Sequence, residues 1–203
     1  NAYRIQPEIA AGKGAINANP DLPKYLEGTE VGLEAVPGEG FKFVRWDYQG
    51  LQIDEPIIPP FQIAENISVS AYFQDIQKPK VTILEPIGGV TGNENISLRG
   101  LLTDNGTLES VNWLRGEENQ GVLELAEDKF DLKGIVLLKG DNSYSVVAKD
   151  TEGNESTETV NVTWEPIRTL ELVDAPERQE GKRINIPVRL ASNGDVGGMT
   201  FIL

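Results

Sequence analysis

Cysteine and histidine are both absent from the 203-residue chain, and the two absences exclude much of the chemistry of proteins. Without cysteine there are no disulfides, thiolate metal sites or cysteine nucleophiles. Without histidine there is no imidazole base, no serine triad that depends on one, and no histidine-ligated zinc or iron. The chain is therefore predicted not to be an enzyme.

Basic residues are scarce as well: 18 Lys and Arg stand against 32 Asp and Glu, for a formal net charge of −14. This charge repels phosphate backbones and anionic lipid surfaces, which predicts that nucleic acid is not a partner. No apolar run approaches the roughly 20 residues that cross a bilayer, so no membrane insertion is expected within the chain. The 21 glycines and 12 prolines favour short strands and tight turns, and the predicted fold class is all-β.

The first module is predicted from alternating and aromatic strands. Residues 31–35 and 67–73 alternate between apolar and polar, and a Pro-Gly turn at 37–40 leads into the aromatic strand 41–46. Together with the glycines at 12 and 14 and Trp46, this arrangement resembles the divergent internalin-type B repeat over about residues 3–75. The resemblance implies a small β-grasp-like unit, without an active site, of the kind found in bacterial surface and secreted proteins. We expect it to span residues 1–76.

The second module begins after a polar junction that contains Pro79. About eight short apolar segments follow at the spacing of a sandwich, and residues 138–162 read as a strand, a turn and a returning strand. The hairpin resembles that of bacterial immunoglobulin-like and fibronectin-like extracellular domains. The resemblance implies an immunoglobulin-like β-sandwich over 77–166, with Trp113 as its central aromatic residue. Tyr144 would be a tyrosine corner whose hydroxyl bonds to the upstream backbone.

The remaining residues, 167–203, resemble the beginning of a cohesin-like β-sandwich. A strand, a glycine turn, an alternating strand with Ile186-Pro187-Val188 and a Gly-Gly entry to a further strand carry the likeness. Only the first strands of such a sandwich are present, so the chain is expected to be a piece of a longer protein. Because a cohesin binds a dockerin through its complete sheet, a dockerin-like partner is expected only for the intact parent.

Asp150, Glu152 and Asn154 are candidate ligands of a structural calcium ion. They alternate within one turn, and Ca²⁺ prefers oxygens of carboxylates, amides and carbonyls. A second turn carries Asp104 and Asn105. The alternative is that Asp150 and Asn154 only form the hairpin turn, and we favour it because the spacing of a full calcium loop is absent. No other cofactor is predicted.

The modules together predict a non-catalytic structural or adhesive segment that spaces and presents binding domains. The expected location is the bacterial cell surface or the extracellular medium, and the expected partner is a protein or polysaccharide there. An alternative is a cohesin-like scaffold or carbohydrate-recognition component attached to an extracellular hydrolase system.

Overall fold

A computed structural model describes residues 1–172 and 188–192, and it confirms the predicted all-β class. None of these residues forms a helix long and apolar enough to cross a membrane. The chain divides into two compact units. The first unit comprises Asn1–Lys80, Thr103–Ser110 and Ala148–Ser156, and the second comprises Val81–Leu102, Val111–Val147 and Thr157–Leu203. The predicted domain boundaries after residues 76 and 166 stay predictions.

Nine strands lie entirely within the first unit. They are β1 (Ala2–Tyr3), β2 (Ile5–Ala11), β3 (Gly14–Asn19), β4 (Tyr25–Leu26), β5 (Glu30–Pro37), β6 (Phe41–Tyr48), β7 (Leu51–Ile53), β8 (Ile57–Gln62) and β9 (Ile67–Asp75). Their sheet orders are β2-β9-β6-β7, β3-β5-β8 and β1-β4. In the four-stranded sheet β9 pairs with β2 in parallel and with β6 in antiparallel orientation.

The core of the first unit follows from the alternation of its strands. The inward positions of β9 are all buried, and Trp46 on β6 is fully buried with its ring 5.7 Å from that of Phe43. The chain also passes very close to β9 at Gly12, where φ is +71° and a Cβ would lie 2.2 Å from the Phe73 carbonyl oxygen. Only glycine fits there, because a side chain would be strained by φ and would clash with backbone.

The second unit contains most of ten further strands. They are β10 (Lys80–Glu85), β11 (Gly89–Thr91), β12 (Asn95–Thr103), β13 (Leu108–Arg115), β14 (Glu118–Val122), β15 (Lys129–Val136), β16 (Gly140–Asp150), β17 (Glu155–Trp164), β18 (Arg168–Leu172) and β19 (Val188–Ser192). The sheet orders β10-β12-β15 and β11-β17-β16-β13-β14 agree with an immunoglobulin-like sandwich.

Two core predictions for the sandwich need correction. Trp113 is only partly buried, whereas Phe130 and Tyr144 are almost fully buried and occupy the centre. The hydrogen bond found at the Tyr144 hydroxyl comes from the Arg115 guanidinium at 3.1 Å and not from the upstream backbone. Arg115 itself donates to the Val136 carbonyl, so the tyrosine is linked to the backbone through an arginine and does not form the expected tyrosine corner.

The cohesin-like beginning predicted for residues 167–203 lies largely outside the described residues. Of this segment the structure describes β18 and β19, which pair in antiparallel orientation with Arg168 opposite Ser192. The prediction of a cohesin-like module therefore stays a prediction.

Candidate metal centre

The end of β9 places a carboxylate inside the protein. Ile67, Val69, Ala71 and Phe73 all point inward by the period of two, and the next inward position is Asp75, which is only 4% exposed. The strand thus carries a charge on its buried face at its last residue. Burial of a carboxylate is costly unless hydrogen bonds or a cation compensate for the lost water.

The end of β16 repeats this arrangement. Its inward positions include Tyr144, Val146 and Ala148, and the same period brings in Asp150, which is 1% exposed. Like Asp75, Asp150 is the last residue of its strand and lies on the apolar face. Two strands that are distant in sequence therefore each end in a buried carboxylate.

Asp104, directly after β12, completes a group of three. One carboxylate oxygen from each of Asp75, Asp104 and Asp150 lies within 4.8 Å of the others. All three residues belong to the first unit, in which residues 103–110 and 148–156 pack with the N-terminal residues. We call this group the aspartate triad.

The hydrogen bonds of the triad are unevenly distributed. Oδ1 of Asp150 accepts the backbone N–H groups of Glu152 and Asn154, and its Oδ2 accepts the Asn154 side-chain amide at 2.8 Å. Oδ1 of Asp75 accepts the Gln77 N–H at 2.9 Å. Within the described part of the chain, Oδ2 of Asp75 and Oδ1 of Asp104 are buried atoms without a hydrogen-bond partner.

The electrostatics of the triad are those of crowded like charges. No salt bridge reaches the three carboxylates from any residue that the structure describes. Burial raises the pKa of the Asp104 carboxyl above its usual value. The negative charges of Asp75 and Asp150 raise it further, whereas the hydrogen bond from the Gly106 N–H lowers it. The three carboxylates therefore form no salt bridge with these residues, and the positive charge that acts on Asp150 is that of Lys149, whose ammonium is paired with Glu109.

A cavity of about 420 Å³ adjoins the triad, and Asp75 and Asp150 both line it. Asn105 lies on the same wall, and its buried side-chain oxygen has no hydrogen-bond partner among the described residues. Lys13 also lines the cavity, but its ammonium donates to the Asn105 backbone carbonyl. Two residues that line the cavity, Asp75 and Asn105, therefore each carry a side-chain oxygen with free acceptor capacity.

The predicted calcium ligands Asp150, Glu152 and Asn154 are placed differently from one another. Asp150 belongs to the triad. Asn154 contacts Asp150 through its amide nitrogen, a donor atom that does not ligate cations, and the same nitrogen donates to the Asp75 carbonyl at 3.1 Å. Glu152 is exposed, donates its backbone N–H to Asp150, and lines the cavity. Asp150 and Asn154 hydrogen-bond to each other within the turn, and the choice between a turn and a calcium loop made from the sequence stays a prediction.

Comparison with known proteins gives a family match within the first module. Residues 8–77 match the model of the divergent InlB B-repeat domain, which confirms the resemblance inferred from the sequence. Among solved structures, the fibronectin(III)-like modules of Clostridium thermocellum CbhA are similar at 14% identity and a TM-score of 0.37. The match covers 79% of this chain and 90% of that one. A search of curated proteins gave no match.

Proposed function

We propose that the chain is a non-catalytic structural or adhesive segment of a secreted or cell-surface bacterial protein, and that it resists tension while it spaces and presents neighbouring binding domains. The B-repeat match supports a bacterial structural module. In this role the partner of the parent protein is a protein or polysaccharide at the cell surface. The observation that carries the proposal is the pairing of the first and last long strands of the first unit.

Strands β2 and β9 are parallel neighbours, paired from Ile5 with Ile67 to Ala11 with Tyr72. The chain enters this pair at the start of β2 and leaves it at the end of β9. Because the strands are parallel, these two points lie at opposite ends of the pair. Tension between them therefore loads the backbone hydrogen bonds in shear, so that they share the force instead of breaking one after another.

The second unit has a similar but shorter pair. Its early strand β11 lies parallel to β17, with Gly89 opposite Val162 and Thr91 opposite Trp164. The pair has fewer residues than β2 and β9, so it offers fewer hydrogen bonds to share the force. We therefore expect the first unit to be the mechanically stronger one.

The direction of pulling tests this proposal. Because the chain has no cysteine, attachment points can be introduced in pairs. Attachment at Arg4→Cys and Ile76→Cys loads β2 and β9 in shear, whereas Ala11→Cys and Ile76→Cys pulls both strands from the same end. In single-molecule force spectroscopy at one loading rate, the first pair is expected to unfold at a clearly higher force, because forced unfolding reports the barrier to unfolding.

The two double variants serve as controls for each other, since they share Ile76→Cys and differ only in the second attachment point. All three positions are exposed, and melting temperatures equal to that of the unaltered chain would show that neither variant perturbs the fold. Equal unfolding forces in the two directions, or a lower force in shear, would contradict a role in bearing tension.

A scaffold or carbohydrate-recognition role remains the second hypothesis from the sequence. It depends on a complete cohesin-like sandwich, and residues 173–187 and 193–203 lie outside the described part of the chain.

A further inference from the structure

We propose that Asp75, Asp104 and Asp150 bind one calcium ion, with the side-chain oxygen of Asn105 and water as further ligands. The site differs from the turn site considered from the sequence, because its ligands come from three separate segments and share only Asp150 with it. It is also independent of the mechanical role, since either property can hold without the other.

The spacing of the carboxylates fits calcium. Ca²⁺ lies about 2.3–2.6 Å from its oxygen ligands, so two oxygens on one ion are separated by at most about 5 Å. The three carboxylate oxygens of the triad lie within 4.8 Å of one another. One ion is therefore able to contact an oxygen of each residue without a large movement of the backbone.

The buried Oδ2 of Asp75 supports the calcium site independently of the clustering of the carboxylates. Its side chain is 96% buried because it lies at an inward position of β9, and this oxygen has no hydrogen-bond donor among the described residues. It belongs to a carboxylate that has an oxygen within 4.8 Å of oxygens of Asp104 and Asp150. A buried oxygen without a partner loses its hydration without compensation, and a cation supplies that compensation.

Two further buried oxygens lack a hydrogen-bond donor among the described residues, and a cation would compensate them in the same way. They are Oδ1 of Asp104 and the side-chain amide oxygen of Asn105. Asn105 is not an acidic residue, so its free oxygen does not follow from the clustering of carboxylates. It lines the cavity together with Asp75 and Asp150, which leaves room for water ligands. Ca²⁺ needs six to eight oxygens, and the carboxylates, the amide and water supply that number.

Calcium suits this donor set better than other common cations. All ligands are oxygen, and neither His nor Cys is available to favour zinc, iron or copper. Mg²⁺ demands near-ideal octahedral geometry at about 2.0–2.1 Å, which ligands fixed at the ends of separate strands do not readily provide. The neighbouring ammonium of Lys13 donates to a backbone carbonyl and forms no salt bridge with the triad within the described residues.

Binding of the ion would hold three chain segments of the first unit together. Asp75 ends β9, Asp104 follows β12, and Asp150 ends β16, so the ion cross-links the N-terminal residues with segments 103–110 and 148–156. It would also remove the mutual repulsion of the three carboxylates. Calcium is therefore expected to stabilise the folded chain, because a ligand that binds only the native state raises its stability by mass action.

The test uses the full chain after treatment with a chelator, titrated with CaCl₂ and separately with MgCl₂. We expect saturable binding of one Ca²⁺ by isothermal titration calorimetry, with a rise in melting temperature of about 5 °C or more at saturation. Asp75→Asn and Asp104→Asn should each lose the heat of binding and the thermal shift. Asn keeps an oxygen that accepts the Gln77 N–H, so the first variant preserves the hydrogen bond of Asp75.

Asp54→Asn is the matched control, since it removes the same charge from an exposed position between β7 and β8. It should bind calcium as the unaltered chain does. Without calcium, the two triad variants are expected to melt at the same or a higher temperature, because they relieve repulsion. The proposal is overturned if the unaltered chain shows no saturable binding, if both triad variants keep it, or if Asp54→Asn loses it equally.

Discussion

Replacement of Trp46 by alanine is expected to lower the free energy of unfolding of the first unit by about 4 kcal/mol, the usual cost of truncating a buried aromatic residue. Trp46 is fully buried and packs against the tilted ring of Phe43. A loss of this size is a large fraction of the stability of a small domain, about 5–15 kcal/mol. Urea unfolding followed by circular dichroism measures it.

Two further variants separate the loss of core packing from the loss of the indole N–H and from the effect of a substitution elsewhere on β6. The Trp46 indole N–H is buried and has no partner in the described part of the chain, so Trp46→Phe should cost clearly less than the alanine variant. Val44→Ala, on the same strand but 37% exposed, should change the free energy of unfolding by about 1 kcal/mol or less. If Trp46→Ala cost no more than Val44→Ala, the tryptophan would not be the core residue of β6.

Replacement of Asn142 by leucine is expected to destabilise the second unit by about 2 kcal/mol, because three partly buried backbone groups would lose their hydrogen-bond partner. Asn142 is 6% exposed. Its oxygen accepts the Leu138 N–H at 2.8 Å, and its amide nitrogen donates to the carbonyls of Leu138 and Gly140 at 2.7 and 2.9 Å. Leucine has a similar size but offers none of these bonds. Thermal and urea unfolding measure the loss.

Asn161→Leu is the matched control, because it makes the same change at an exposed position of β17. We expect a change within about 0.5 kcal/mol, as for most surface substitutions. Equal losses in the two variants would show that the hydrogen bonds of Asn142 do not hold the segment from Leu138 to Gly140.

The strands were predictable wherever an apolar period of two was clear. The alternation of residues 31–35 and 67–73 predicted β5 and β9, and the turn at 37–40 predicted the start of β6. The position of Trp113 was not predictable, because an aromatic residue on an apolar strand does not reveal which neighbour fills the centre. Tyr144 did prove to be buried, but the arginine that pairs with its hydroxyl comes from a strand that local spacing cannot place.

The aspartate triad was only partly within reach of the sequence. Extension of the alternation in β9 by two residues brings Asp75 to an inward position, and the same extension in β16 brings Asp150 inward. The sequence alone could therefore have predicted a buried carboxylate at the end of each of these two strands. Their proximity to each other and to Asp104 was not, because it depends on how segments far apart in the chain pack in the first unit.

The most direct test of the central claim, that this segment resists tension, is to pull the unaltered chain by its two termini at constant velocity. We expect a discrete unfolding event in which the segment from Ile5 to Asp75 is released, with a gain in length equal to the extended segment, roughly 240 Å at about 3.4 Å per residue, minus the folded distance between its ends. This event should occur at the higher force, after release of the second unit. Gradual extension at low force without an event of this length would contradict the account.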